Sequence, residues 1–271
     1  MRKTSRATNP RSPEFLDSRR GSVFAARKVV GTWFHLKPAP TLALLLGLLE
    51  LLLPATANAR DPYVAFPTSP EQLPAMRYAA LSRAECVAEA KKRKLPFKPG
   101  PKIRTVDTPV RLTGPLRGVS FEFAYAKSKK SKADVLDCRL LLALDDLAGI
   151  AVEHSIVTLR YNSIYRRRGA SRKGGVRHPA GVAMDVIEIV KKDGQLLNVE
   201  HDFESSGVGA RTCGDGAKAA KSPKATTLRE FICAVDRARL FNLLLTPHYD
   251  RHHKDHVHFE VRRGIRWFLT H

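Results

Sequence analysis

The chain has 271 residues, 43% of them hydrophobic, with 47 Lys+Arg against 26 Asp+Glu and a formal net charge of +21. That hydrophobic content excludes a purely disordered polymer and is enough for a packed core in one or two domains. The basic surplus invites anionic partners by long-range attraction and says nothing about the fold.

Residues 1–38 are basic and irregular, and an apolar run over 42–53 follows, broken only by Gly47 and Glu50. Then comes Pro54-Ala55-Thr56-Ala57-Asn58-Ala59. Basic, apolar and small-x-small, in that order, is the pattern of a secretory signal, so residues 1–59 read as a signal peptide cleaved after Ala59. The apolar run is too short for a permanent anchor, which needs roughly 20 residues, so membrane contact is expected only through this segment if uncleaved. Its basic lead is longer than such signals usually have. The remaining 212 residues fit a single domain. They keep 38 basic residues against 23 acidic ones, a net +15. For an exported protein of the periplasm or cell envelope, the first anionic polymer met is the cell wall. Nucleic acid is set aside, because no aromatic platform interleaves the basic residues.

Along the mature part, residues 60–80 hold prolines and polar residues and read as a flexible lead-in to a domain over 81–271. Residues 82–92 begin Ser82-Arg83-Ala84-Glu85, a capping-box start for a helix. Residues 110–112 and 119–123 alternate like strands. Lys127 to Lys132 reads as a solvated basic loop, and 135–151 has the apolar spacing of a core helix. Strands are then expected at 156–161, 182–190, 196–199 and 257–261, with Asp193-Gly194 as a hairpin turn between two of them. A second long helix is expected over 226–241, with Thr226 or Thr227 near its cap. The sum is an α+β domain with a mostly antiparallel sheet flanked by helices. Cys86, Cys138, Cys213 and Cys233 match no thiolate metal spacing, and in an oxidising compartment an even count favours two disulfides. Of the three pairings, Cys86–Cys138 with Cys213–Cys233 closes the shortest loops and is preferred.

Five of the ten histidines lie between 248 and 258. Read as a strand, Asp255-His256-Val257-His258-Phe259-Glu260-Val261 puts 256, 258 and 260 on one face and Val257, Phe259 and Val261 on the other. Two imidazoles side by side suit something bound there. The second piece is His178-Pro179-Ala180-Gly181-Val182-Ala183-Met184-Asp185. Fully extended, His178 and Asp185 would stand roughly 23 Å apart, so sharing an ion requires a bend, which Pro179 and Gly181 permit. His248, His252 and His253 read as rim residues.

His-x(6)-Asp, with Gly three and Ala five residues after the His, followed downstream by His-x-His, resembles the metallopeptidase group of lysostaphin-type enzymes, D-Ala-D-Ala peptidases and the hedgehog domain. Within it the chain is most similar to the bacterial extensin-like family, on Pro247-His248-Tyr249 and His253-Lys254-Asp255-His256-Val257-His258. The resemblance implies a sheet carrying a Zn²⁺ site with His178, Asp185 and His258 as ligands and a fourth position open for water. It implies Asp255 as general base and His256 as a partner of the water or the developing oxyanion. Asp255 and His258 are an odd number of residues apart, so this requires a bend over 254–256; in a regular strand His256 is the better base. In Ser163-Ile164-Tyr165-Arg166-Arg167-Arg168, which resembles the Tyr-Arg element of these peptidases, Arg166 is the residue chosen to bind a substrate carboxylate. His253 is the second substrate contact. Val176 departs from the usual Ser two residues before the first His. The activity implied is hydrolysis of amide bonds in peptidoglycan peptides; the alternative is a non-catalytic cell-wall-binding or scaffold protein with a structural or vestigial zinc.

Overall fold

The computed structural model describes residues 63–125, 131–167 and 177–271. The expected signal segment, most of the basic loop after Tyr125, Arg168 and Val176 lie outside those residues. The elements in chain order are β1 (Val64–Ala65), α1 (Pro74–Ala80), α2 (Arg83–Lys92), β2 (Phe97–Pro99), β3 (Pro109–Leu112), β4 (Ser120–Phe123), β5 (Leu136–Asp137) and α3 (Cys138–Glu153). There follow β6 (Ile156–Ser163), β7 (Ala183–Lys191), β8 (Leu196–Asn198), the short α4 (Val199–Asp202), α5 (Pro223–Arg237), β9 (Leu243–Leu245), β10 (Val257–Glu260) and β11 (Phe268–Thr270). Short 3₁₀ turns span Pro70–Gln72, His178–Ala180 and Arg251–His253.

The main sheet has the order β1-β11-β9-β10-β7-β6-β4, with β8 also paired to β7. Among the described residues only β4–β6 and β11–β9 run parallel. A smaller antiparallel sheet is β2-β3-β5. The architecture is therefore α+β with mostly antiparallel strands, as the alternating segments imply.

Helix α3 is the centre of the core. Leu140, Leu141, Leu142, Leu144 and Leu147 are wholly buried, and the helix packs on β6, α1, α2 and α5. It begins later than its apolar run because Asp137 caps it, accepting the Arg139 N–H at 3.1 Å, while Leu136 is still paired in β5. Arg139 is buried too, and its guanidinium is satisfied by Asp137, Asp107 and the Leu81 carbonyl. Helix α2 carries the capping box read from Ser82 and Glu85. Both preferred disulfides are present: Cys86–Cys138 ties α2 to the start of α3, and Cys213–Cys233 ties the preceding loop to α5. Among the described residues no helix is long and apolar enough to cross a membrane.

Two expectations need correction. Residues 63–80, read as a flexible lead-in, are built into the domain: β1 pairs with β11, and Ala75 and Met76 pack against Phe268. Their prolines start helical turns, Pro70 and Pro74 at the first helical position, where a missing N–H costs nothing. The second long helix starts at Pro223 rather than near Thr226, because Ser222 caps it by accepting the Ala225 N–H, and it ends at Arg237.

Candidate metal centre

Three strands and one turn assemble the site. In the sheet register, Asp185 on β7 stands opposite Ser163 on β6 and opposite His258 on β10. Paired residues on neighbouring strands share a face, so these three side chains meet without any loop bringing them together. The alternate residues of the same strands, Met184, Val186, Val257 and Phe259, enter the core on the other face.

His178 reaches them by the bend that its sequence distance demands. It opens a single 3₁₀ turn bracketed by two left-handed residues, Arg177 (φ 57°) and Gly181 (φ 67°). Gly181 has a second reason to be glycine: a Cβ there would lie 2.9 Å from the Asp137 amide nitrogen, which donates to the Gly181 carbonyl at 2.8 Å. The turn returns the chain into β7, and the side chains of His178, Asp185 and His258 converge, all of them buried. One ligand-capable atom from each lies within 4.8 Å of the others.

The donor chemistry fits a metal ion. His178 Nδ1 donates to the Ile164 carbonyl at 2.8 Å, which leaves the Nε2 lone pair facing inward. Nε2 is buried and without a hydrogen-bond partner, although Asp185 Oδ2 is only 3.1 Å away. A lone pair aimed at a carboxylate oxygen is unfavourable unless a cation stands between them. His258 Nδ1 is 2.8 Å from Asp185 Oδ1. Ligand atoms around one tetrahedral zinc stand roughly 3.3 Å apart, and the two spacings from the histidines to Asp185 oxygens are near that value. Two imidazoles and one carboxylate are borderline donors of the kind that suit zinc.

Electrostatics agree with a site built around positive charge. Burial raises the Asp185 pKa, but His178 and His258 outweigh it and hold the carboxyl well below its usual range. Burial pushes His178 down, against the pull of Asp185. For His258 burial acts downward as well, yet Asp185 and Glu260 on its two sides push it up to about 9. Ser163 Oγ donates to Asp185 Oδ2 at 3.0 Å, and Arg166 donates to the same oxygen at 2.9 Å.

The remaining expected residues surround this cluster. The chain bends at Lys254 and Asp255, just before β10, so Asp255 is not on the strand. Its carboxylate accepts from His256 Nδ1 at 2.7 Å, and His256 Nε2 lies 3.6 Å from Asp185 Oδ1. Asp255 thus reaches the centre through His256. His253 makes a parallel pair with Asp250, whose Oδ1 lies 2.7 Å from Nδ1, and its ring centroid stands 4.9 Å from that of His256. Arg166 leans on Asp185 with half its side chain exposed. His252 is an exposed rim residue. His248 is not one: it is wholly buried, accepts the Ser206 N–H at Nε2 and meets Thr212 Oγ1 at Nδ1. Burial, Arg229 and His271 lower it to about 4.

Two further side chains, Ser163 and Glu260, complete the site. Ser163 immediately precedes the Ile164-Tyr165-Arg166 element, but only the β6–β7 register reveals its contact with Asp185. Glu260 follows His258 at strand spacing, and that alternation was the available signal.

Fold and site together define an α+β domain that carries a buried His-Asp-His group able to hold a metal ion on the sheet face opposite the core. The family model for the extensin-like protein C-terminus matches residues 84–269, and the chain belongs to that family. No curated protein and no solved structure matches the chain.

Proposed function

We propose that the protein is an exported zinc-dependent peptidase that hydrolyses amide bonds in peptidoglycan peptides, acting in the periplasm or cell envelope. The observation that carries this reading is the inward, unpartnered Nε2 of His178 beside Asp185 and His258, with a histidine–aspartate pair next to them. Zinc held by these three residues would polarise a substrate carbonyl and lower the pKa of a bound water toward 7. The chain bends at 254–255 as Asp255 would need to act as base, but its carboxylate is turned onto His256 Nδ1 at 2.7 Å. The base therefore moves from Asp255 to His256, with Asp255 keeping a proton on Nδ1 and His256 Nε2 taking the proton of an attacking water and returning it to the departing amine. His256 is outside the mutual three-ligand group, and zinc held by three protein ligands would have a further position for water or substrate. Arg166 has donors beyond the one committed to Asp185, and these suit a substrate carboxylate. His253, held by Asp250, borders the same space. The signal-like segment, the net +15 of residues 60–271 and the likeness to D-Ala-D-Ala and lysostaphin-type peptidases support the wall as the partner.

Digestion of purified sacculi by the protein, with and without a chelator, tests the proposal. Chelator-sensitive release of peptide fragments, lost in His178→Ala, is expected; a digest indifferent to both changes would show the enzyme reading to be wrong. A second reading, a wall-binding protein with a structural or vestigial zinc, is favoured by the burial of all three ligands and by Arg166 closing on Asp185. Under it Asp255→Ala retains wall affinity and metal and has no turnover to lose.

A further inference from the structure

Glu260 is the third residue on the site face of β10, after His256 and His258, and its side chain is wholly buried. A carboxylate removed from water costs several kcal/mol unless its oxygens find partners. Here the two oxygens are divided between the two halves of the metal centre. Oε2 lies 3.3 Å from His258 Nε2, and Oε1 accepts the Arg177 backbone N–H at 3.0 Å.

The first contact decides which nitrogen of His258 does what. An imidazole whose Nε2–H is committed to Glu260 has Nδ1 as its ligating atom, and Nδ1 is the atom that faces Asp185 at 2.8 Å. The second contact acts on the other histidine. Arg177 is the left-handed residue immediately before His178, so holding its amide fixes where the 3₁₀ turn begins. A single buried side chain therefore grips two segments 83 residues apart in the chain.

We propose that Glu260 is the positioning carboxylate of the metal centre, orienting the His258 ring and latching the His178 turn to the strand that carries His258. The inference rests on the metal reading of His178, Asp185 and His258. Carboxylates behind ligating histidines raise ligand basicity and fix ring orientation, and their loss typically weakens metal binding about 10- to 100-fold.

The test uses the full-length protein. Zinc affinity is measured by competition with a chromogenic chelator, the visible spectrum is recorded with Co²⁺ in place of zinc, and thermal unfolding is followed in excess chelator. Glu260→Gln keeps the volume and an acceptor but loses the charge; it is expected to bind zinc about 10- to 100-fold more weakly, with an altered Co²⁺ spectrum. Glu260→Asp keeps the charge but is too short to span both partners, and is expected to lose about 10-fold, which serves if the Gln variant does not fold. Wild-type affinity and spectrum in either folded variant overturn the proposal. So does a variant that only melts earlier in chelator, since that is a structural role alone. His178→Ala separates the two levels: if it loses zinc while Glu260→Gln keeps it, only the positioning role fails, and if it binds zinc like wild type, the metal reading fails and the positioning role with it.

Discussion

Gly181→Ala tests whether the metal centre depends on the bend between His178 and Asp185. Two costs add at this position. A left-handed conformation costs a non-glycine residue roughly 1–2 kcal/mol, and Gly181 has φ 67°. The new Cβ would lie 2.9 Å from the Asp137 amide nitrogen, in backbone that caps α3 and cannot move like a side-chain tip. Relieving such a contact typically costs about 1–3 kcal/mol, so the variant should lose roughly 2–5 kcal/mol in all. At about 2–4 °C per kcal/mol for a domain of this size, thermal unfolding in chelator should shift down by roughly 4–20 °C. Because the strain is relieved by moving the turn that presents His178, zinc affinity should fall as well, read by chelator competition on folded protein. Gly181→Asn is the control, since Asn tolerates the left-handed region but brings the same Cβ; it should recover part of the loss and not all of it. If Gly181→Ala melts and binds metal like the wild type, neither the backbone conformation nor the close approach to Asp137 matters.

Three further outcomes follow from the geometry. Asp185→Asn removes the anion that His178, His258, Ser163 and Arg166 all face, so it should abolish tight zinc binding, measured as metal content after gel filtration. Under the peptidase proposal, His256→Ala should retain zinc within a few-fold and lower turnover on peptidoglycan fragments about 10²- to 10⁴-fold, with Asp255→Ala losing less because it acts through His256; full turnover in His256→Ala would remove His256 from the proton path. His248 titrates near 4 folded against about 6.5 unfolded, so between those values the unfolded chain binds the extra proton and stability falls as pH drops, by about 3 kcal/mol in all. Denaturant midpoints from pH 7 to pH 4 should therefore fall more steeply for the wild type than for His248→Gln, and equal slopes would contradict the assignment.

The strands were legible where one face is core and the other is not. The alternation of Val257, Phe259 and Val261 with His256, His258 and Glu260 carries strand, burial and site in seven residues. Short uniformly apolar strands were not legible: β9 is Leu243–Leu245, buried on all sides, and has no period to read. The starts of α3 and α5 differ from the expected ones because caps decide them: Asp137 lies inside the run read over 135–151, and Ser222 lies ahead of the one read over 226–241. At the site, the ligand-capable residues were reached through the resemblance that their motifs carry, but their partners were not. Ser163 meets Asp185 only through register, and Arg166, expected to await a substrate carboxylate, has a carboxylate of the chain itself within reach. The odd spacing of Asp255 and His258 leaves open in the sequence whether the strand is regular there; the chain bends before Val257 and turns Asp255 onto His256.

The same alternation explains why a charged, polar cluster can sit in the middle of this fold. A register slip of one residue in β10 would send His258 into the core and Phe259 into the site. Phe259 packs against Phe241 with ring centroids 4.9 Å apart, and β10 is paired on both edges, by β7 and by β9. Slipping would therefore break apolar packing and two hydrogen-bond ladders at once, and it would bury an imidazole among hydrophobic groups. The core thus locks the register, and the register fixes Asp185 between Ser163 and His258. Only His178 arrives from outside the sheet. That is why the left-handed turn at Arg177 and Gly181, and the buried carboxylate that holds its entrance, are the points where the ligand geometry is vulnerable.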